Sequence, residues 1–574
     1  MITSRKFMQN VPIFFFIFFL HNFAIGQEVP YKDPLILYNQ VGYITIAPKV
    51  LLTSHRVELV EMYDQQNIKV FSEKPEPPLY WNLSGESVRK LDFTKIQIPG
   101  IYKLVIPGTD QIFEININEK PFYELAKAVQ KAYYYNRSGF EITPEFGGIW
   151  SRPAGHPDTL VFIHDSASDS NRPTNSTIPS SFGWYDAGDY NKYIVNSGIT
   201  MFTLLTALND YPEYFNELEV HIPGNEEGFP DLLTEILFNL NWMISMQDPI
   251  DGGVYHKLTN KNFDGSILPH LAKEKRYVVA KTTAATLNFA AVMANAYRVL
   301  KKYEGFLPGL ADDCLEKAKK AWNWAEKHPA LVYKQPSDIY TGQYGDESLN
   351  DEFFWAATEL FLATIEEKYI DKITSNFAMP DVPGWQNVRT LGYISLLSNQ
   401  KIVAGQLKMP YLSQSFLNLA DSLVKVSQDS PYGISLGKFD WGSNSTVANE
   451  GMIKMIAYKH TKKPGYLKSA ISDLDYILGK NATAYCFVTG FGTKKVMNIH
   501  HRPSESDGIR EPVPGFLAGG PNTVVMTDCS PKIARSKWPA KSYVDQACSY
   551  STNEVAINWN APLIYLLAGI QNFY

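Results

Sequence analysis

The sequence predicts a multidomain chain, an N-terminal β-sandwich followed by an all-α body of paired helices, whose pairing suggests a ring without proving its closure. Three observations carry this. From Pro34 to about Asn118, short alternating apolar runs are broken by turn residues such as Pro99, Gly100, Pro107 and Gly108. From about Pro121 onward, apolar residues recur at helical spacing over long segments, separated by loops rich in Gly, Pro, Asp and Asn. The length of 574 residues exceeds one ordinary domain, and 45% hydrophobic residues suffice for a large core.

The elements follow in chain order. Residues 1–26 read as a secretory signal: Arg5 and Lys6 precede an apolar run from Val11 to Leu20, then small residues up to a cut after Gly26. The run is short for a membrane span, and an uncleaved anchor is the alternative. Residues 30–118 form the sandwich, with strands in PLILYNQVGY, KVLLTS, VELVEMY, KIQI and IYKLVI. Residues 121–574 form the helical part, with helices expected over Pro121–Asn136, Ile194–Asn209, Asp231–Gln247, Thr282–Tyr303, Ala311–Lys327, Asp351–Glu367, Tyr411–Ser427, Val447–Lys459, Gly465–Leu478 and Val555–Ile570. A shorter helix is expected after Gly384.

A net charge of −6 and a pI near 6.0 argue against nucleic acid or anionic membrane as a partner. Export makes disulfides permissible, and four cysteines, Cys314, Cys486, Cys529 and Cys548, allow three fully paired connectivities. Cys529 and Cys548 are the best-placed pair; unpaired buried thiols are the alternative. With no CxxC step, a cysteine-based zinc site is disfavoured.

Two distant carboxylate groups carry the chemistry. In GWYDAGDYNKY, Asp186 and Asp189 flank Ala187 and Gly188 and can point to one side of a tight turn, holding a water ready for deprotonation. Such aspartates also make ordinary Asx turns. In SYVDQACSYSTNEVAINWNAP, Asp545 and Glu554 stand among aromatics and amides before an apolar run, which places Glu554 at or just before a helix N-terminus with Asn553 near the cap. There it serves either as a dipole-favoured first-turn residue or, if desolvated, as a carboxyl that keeps its proton near neutral pH. TGFGTKKVMNIHHRPS adds His500, His501 and Arg502, donors for hydroxyls or a carboxylate, without the i, i+4 spacing of a helical zinc pair. Trp441 in KFDWGSNS and Tyr255 in DGGVYHK, beside glycine-containing loops, are the candidate stacking rings for sugar faces.

These residues resemble glycoside hydrolase family 9, the inverting β-glucanases often called cellulases. The family's C-terminal pattern is filled by Tyr543, Asp545, Tyr550, Glu554, Ala556, Asn560 and Ala561. Its histidine-arginine pattern is met by Gly492, Lys494, Ile499, His500 and Arg502, with Cys486 departing from the usual Ser, Thr or Val. The likeness runs through YYYNRSG, RPAGHPDT, MQDPIDGGVYHK, DEFFWAATEL and PGFLAGGPN, and LILYNQVGY is similar to the start of the immunoglobulin-like module that precedes many such catalytic domains.

The resemblance implies an immunoglobulin-like sandwich ahead of an (α/α)6 barrel. It also implies a secreted inverting endo-β-1,4-glucanase, extracellular or periplasmic, for cellulose-like or mixed-linkage β-glucans. Asp189 would be the general base, Asp186 would help hold the water, and Glu554 would be the general acid. His500, Arg502 and Asp545 would bind substrate and position the acid. Inversion needs the two carboxyls roughly 6.5–9.5 Å apart, leaving room for water. An exo-acting β-glucosaminidase of the same fold is the enzymatic alternative, and a catalytically silent glycan-binding protein the non-enzymatic one. No cofactor is required; some members bind calcium near an Asp-Glu pair such as Asp351 and Glu352, whereas Gln386 and Asn387 stand where a further acidic ligand would be sought.

Overall fold

The computed structural model describes residues 34–224, 228–403, 405–531, 533 and 535–574. The expected signal segment, residues 1–26, lies outside the described residues. Nine strands come first: β1 (Ile36–Leu37), β2 (Tyr43–Ile44), β3 (Val50–Ser54), β4 (Val60–Tyr63), β5 (Lys69–Glu73), β6 (Leu79–Trp81), β7 (Glu86–Asp92), β8 (Gly100–Val105) and β9 (Ile112–Asn118). They form two sheets, ordered β1-β3-β7-β6 and β2-β9-β8-β4-β5. Alternation decides their inner faces: in β8, Tyr102 and Leu104 are buried while Ile101 and Lys103 face out. Leu51, Leu91 and Phe93 from the first sheet region meet Met62, Phe71, Leu104 and Ile115 in one core.

The first sheet is buried on its other face as well. Leu37, Leu52, Trp81 and Val88 belong to the core of the helical part, which explains why KVLLTS is apolar at consecutive positions. Trp81 lies 4.6 Å from the Tyr432 ring. The Gln40 side chain reaches into the helical part: its amide donates to the Ala484 carbonyl (2.7 Å) and its oxygen accepts the amides of Thr493 (2.9 Å) and Lys494 (2.8 Å).

Among the described residues, twelve helices of eight residues or more follow: α1 (Tyr123–Tyr135), α2 (Ile194–Asp210), α3 (Asp231–Ser245), α4 (Thr283–Leu300), α5 (Leu310–Lys327), α6 (Asn350–Thr364), α7 (Lys368–Ser375), α8 (Arg389–Ser398), α9 (Met409–Asp429), α10 (Ser443–Thr461), α11 (Pro464–Ile477) and α12 (Ile557–Phe573). The even-numbered helices form an inner ring in which α12 packs on α2, α2 on α4, α4 on α6, α6 on α8 and α10 on α12. Contact between α12 and α2 joins the last inner helix to the first, and α9, packed on both α8 and α10, spans the remaining side. Odd-numbered helices lie outside, with α5 on α4, α7 on α6 and α11 on α10.

Inner and outer positions follow from composition. IVNSGITMFTLLTALND in α2 is buried almost throughout, whereas LADDCLEKAKKAWNWAEK in α5 buries one stripe, including Cys314, Ala318, Ala321 and Trp322. The loops entering the inner helices build a third sheet from β10 (Val161–Ile163), β11 (Thr177–Ile178), β12 (Lys192–Tyr193), β13 (Tyr255–Thr259) and β14 (Tyr277–Lys281), ordered β11-β10-β14-β13-β12. Cys529 and Cys548 are joined by a disulfide, and Cys314 and Cys486 are free and buried.

Candidate active site

A cleft of about 1040 Å³ opens at the N-terminal ends of the inner helices, lined by Tyr193, Asn196 and Ile199 of the α2 region, Ser445 and Asn449 of α10, and Asn558 and Trp559 of α12. Asp189 and Glu554 both line it. The two segments that carry them meet because a third docks between them. Gly188 has no room for a Cβ, which would stand 2.2 Å from the His500 carbonyl oxygen. The Gly188 carbonyl accepts the Arg502 amide (3.1 Å) and guanidinium (2.8 Å). His500 in turn pairs with Glu554 in a parallel bridge, its amide donating to the Asn553 carbonyl at 2.9 Å.

Asp186 is fully buried. Its Oδ2 accepts from Asn196 Nδ2 (2.9 Å) and the Tyr344 hydroxyl (3.1 Å), and its Oδ1 has no protein partner. Burial, then the charge of Asp189, holds its carboxyl well above the usual carboxylate range. Burial raises Asp189 too, opposed by the Arg502 charge and by the Asn191 side-chain amide that donates to its Oδ2.

Glu554 follows a single helical turn, Tyr550–Asn553, and sits in extended backbone ahead of Ala556, the residue at the cap position of α12. It is therefore before the helix rather than in its first turn, and Asn553 is no cap: its Oδ1 accepts from Tyr543 (2.5 Å) and its amide donates to the carbonyls of Val544 and Gln546. Burial first, then the carboxyls of Asp189 and Asp186, push Glu554 up to about 8, against the lowering effect of Arg502. Placed before the helix, Glu554 is not a first-turn residue, and its shift is in the direction that a proton-holding carboxyl needs.

The remaining candidates divide. Trp441 lines the cleft, 44% exposed, with its ring 5.3 Å from Tyr550. Arg502 donates to the carbonyls of Gly188 and Asp264 and pins the DAGD turn, and its charge acts on both Asp189 and Glu554. Asp545 accepts the amides of Met497 and Asn498, both at 2.9 Å, and so fixes the turn leading into His500. His500 Nδ1 donates to the Ala547 carbonyl at 2.9 Å, leaving Nε2 as the acceptor nitrogen, and burial lowers its pKa. Tyr255 is a correction. Every residue of β13 is buried, Tyr255 at 0% exposure, and its hydroxyl accepts from Arg172 rather than facing a sugar.

Residues absent from the sequence-based set complete the cleft. Tyr344 has a left-handed backbone (φ 49°) and its ring stands between Tyr193 (4.5 Å) and Trp385 (5.0 Å). Its position in GQYGD, between two glycines, is the same signal that marked Trp441. Asn196, a polar side chain in the first turn of an otherwise apolar helix, was equally legible. Trp385, Gln386 and Asn387 line the cleft together, so the last two face substrate space.

Two places bear on cations. Asp169, Asp248 and Asp251 lie close enough to share one, yet the Lys281 ammonium already stands among them at 3.2, 2.7 and 2.9 Å. At the start of α6, Asp351 accepts the Val388 amide (2.8 Å), while both carboxyl oxygens of buried Glu352 lack a protein partner. Burial, then Asp351 and Asp346, hold Glu352 well above the usual range. A carboxyl so placed fits a cation that would satisfy it.

Comparison with known proteins shows the family. The family model for glycosyl hydrolase family 9 matches residues 122–567, and that for the cellulase N-terminal Ig-like domain matches residues 32–111. The chain is similar to a xyloglucan-specific endo-β-1,4-glucanase of Bacteroides ovatus, 40% identical with 93% of each chain covered. It is also similar to endoglucanase D of Acetivibrio thermocellus, 32% identical with 94% of this chain and 84% of the other covered. A solved Bacteroides ovatus family 9 structure superposes with a TM-score of 0.88 at 39% identity, covering 94% of this chain and 99% of that one. With its sandwich, its barrel and its carboxylate-bearing cleft, the chain belongs to glycosyl hydrolase family 9 and is a glycoside hydrolase.

Proposed function

We propose that the chain is an exported inverting endo-β-1,4-glucanase, with Asp189 as general base, Asp186 as the second acceptor for the attacking water and Glu554 as general acid. The supporting observation is that Glu554, pushed up to about 8, faces the same cleft as Asp189. A carboxyl of that pKa is protonated at neutral pH and donates to the glycosidic oxygen as the C1–O bond breaks. Water adds to C1 from the opposite face, its proton passes to Asp189, and the new reducing end carries the inverted configuration. Asp186 Oδ1, which has no protein partner, is the atom assigned to that water.

Trp441, Trp385 and Tyr344 give the cleft planar apolar surface for pyranose faces. Arg502 and Asp545 act on the backbone of the catalytic segments and thereby hold Asp189 and His500 in place. The substrate is a β-1,4-glucan; we include xyloglucan with cellulose-like and mixed-linkage glucans, because the relative sharing 40% identity is named for it. Asp351 and Glu352 would hold a structural calcium, with no part in bond breaking assigned to it. Replacing Glu554 with Gln is expected to lower kcat on β-glucan by roughly a hundred- to ten-thousand-fold. Proton NMR of the first-formed product is expected to show the α-anomer; a β-anomer, or an undiminished Glu554→Gln variant, rejects the assignment.

A further inference from the structure

Lys257 lies at the centre of β13 with 0% exposure, and its side chain ends beneath the cleft wall. Its ammonium donates to the Gly342 carbonyl (2.6 Å), Thr341 Oγ1 (3.1 Å) and Gln335 Oε1 (3.2 Å). Three neutral acceptors therefore take the three N–H bonds of a buried cation. Such an arrangement is costly unless every donor is satisfied, and a methionine would fill the same space without that cost. Burial alone pushes the ammonium down to about 7, with Asp189 as the charge that opposes the shift. The rings of Tyr193 and Tyr333, at 5.6 and 5.5 Å, lie beneath the ammonium.

What the cation does hold is the loop that carries Tyr344. His256, the preceding residue, bonds the Gln343 carbonyl through Nε2 at 2.9 Å, so β13 grips two successive carbonyls, those of residues 342 and 343. The next residue is Tyr344, held in its left-handed backbone with its hydroxyl 3.1 Å from Asp186. On the other side, the Thr259 hydroxyl donates to Asn191 Oδ1 at 2.9 Å, and Asn191 donates to Asp189. One strand thus aligns the supports of both aspartates.

We propose that Lys257 is a positioning residue for hydrolysis: by anchoring Gly342 it sets the Tyr344 hydroxyl against Asp186, and so orients the acceptor that helps hold the attacking water. This rests on the reading of Asp186 and Asp189 as the water-holding pair. Asp189 also faces Arg502 and Arg276, with the carboxyls of Asp186 and Glu554 and the imidazole of His500 beside it. The ammonium is therefore not its main counter-charge, and the role is one of geometry.

The test is a double-mutant cycle on the full chain with a soluble β-glucan. Lys257→Met and Tyr344→Phe are each expected to lower kcat about tenfold or more with KM within twofold. The double variant is expected to be no slower than the slower single one, because both break the same strut. Multiplying losses, or a rise in KM with kcat intact, overturns the proposal. If Lys257→Met does not fold by circular dichroism, Lys257→Gln, which keeps two donors and loses the charge, takes its place in the cycle. An active Asp189→Asn variant would instead reject the underlying pair, so the two failures are distinguishable.

Discussion

At the scale of single residues, the proposed roles require Glu554 to hold its proton and Asp189 to give up its own in the same cleft. Glu554 is pushed up to about 8 by burial and by two neighbouring aspartates, while Arg502 and Asn191 work to keep Asp189 ionised. Activity is thus expected to fall as pH rises through about 8, where the acid loses its proton, and the fall should be absent from any residual rate of Glu554→Gln. The same shift affects stability. A carboxyl raised on folding binds more protons in the folded than in the unfolded state, so its ionisation destabilises the fold as pH climbs from the usual carboxylate value near 4.5 to about 8. Glu554→Gln removes that term. Its Tm is expected to exceed that of the parent by a few degrees at pH 8 and by less at pH 5, as read by calorimetry; a uniform offset would show that Glu554 does not carry the shift.

At the scale of elements, two features of the loop-bearing end make distinct predictions. The Cys529–Cys548 disulfide joins the segment after Asn522 to the one that runs into Glu554, and Asp528 adds bonds from the Ser551 amide (3.0 Å) and hydroxyl (2.6 Å). Closing a loop of that length contributes about 3 kcal/mol by restricting the unfolded chain. Paired Cys529→Ser and Cys548→Ser substitutions are expected to lower Tm by several degrees, while the Asp528 contacts retain most of kcat at 25 °C. At the start of α6, the orphaned oxygens of Glu352 predict that added calcium raises Tm and chelation lowers it, with Glu352→Gln insensitive to both. Legibility also differed by element. Strands covered on one face, such as β8, and helices with one apolar stripe, such as α5, announced themselves by period. β13 did not, because sheet neighbours and helices bury all five of its residues, so the glycines before Tyr255 looked like a surface signal when they precede a buried strand. That Asp189 and Glu554 share one cleft was legible from local chemistry plus the family pattern. Tyr344 and Trp385 were not gathered with Asp189, because only closure of the ring brings loops so far apart in sequence onto one cleft, whereas Asn196 lies in the first turn of the helix just after Asp189 and was within reach of the local reading.

At the scale of the whole molecule, the sandwich shares its core with the barrel and reaches toward the catalytic segments. The outward face of its first sheet, with Leu37, Leu52 and Trp81, is continuous with the helical core. Glu86 accepts from the Tyr432 hydroxyl (2.5 Å) and the Lys541 ammonium (2.8 Å), close to the segment that bears Asp545. Gln40 makes the most direct link. It holds the amides of Thr493 and Lys494, and the same stretch is held a few residues later by Asp545 at Met497 and Asn498, immediately before His500. The loop is fixed at one end by the sandwich and at the other by the segment that bears Asp545. Gln40→Ala removes the acceptor of the Thr493 amide and one donor to Ala484, a loss of about 1–3 kcal/mol. It is expected to lower Tm and to lower kcat several-fold with little change in KM, since Gln40 is remote from the cleft lining and acts through the His500 loop. Gln40→Glu keeps the acceptor and loses the donor, so it should retain more kcat than Gln40→Ala. Equal activity of both variants with the parent would mean that the sandwich supports the barrel without reaching its chemistry.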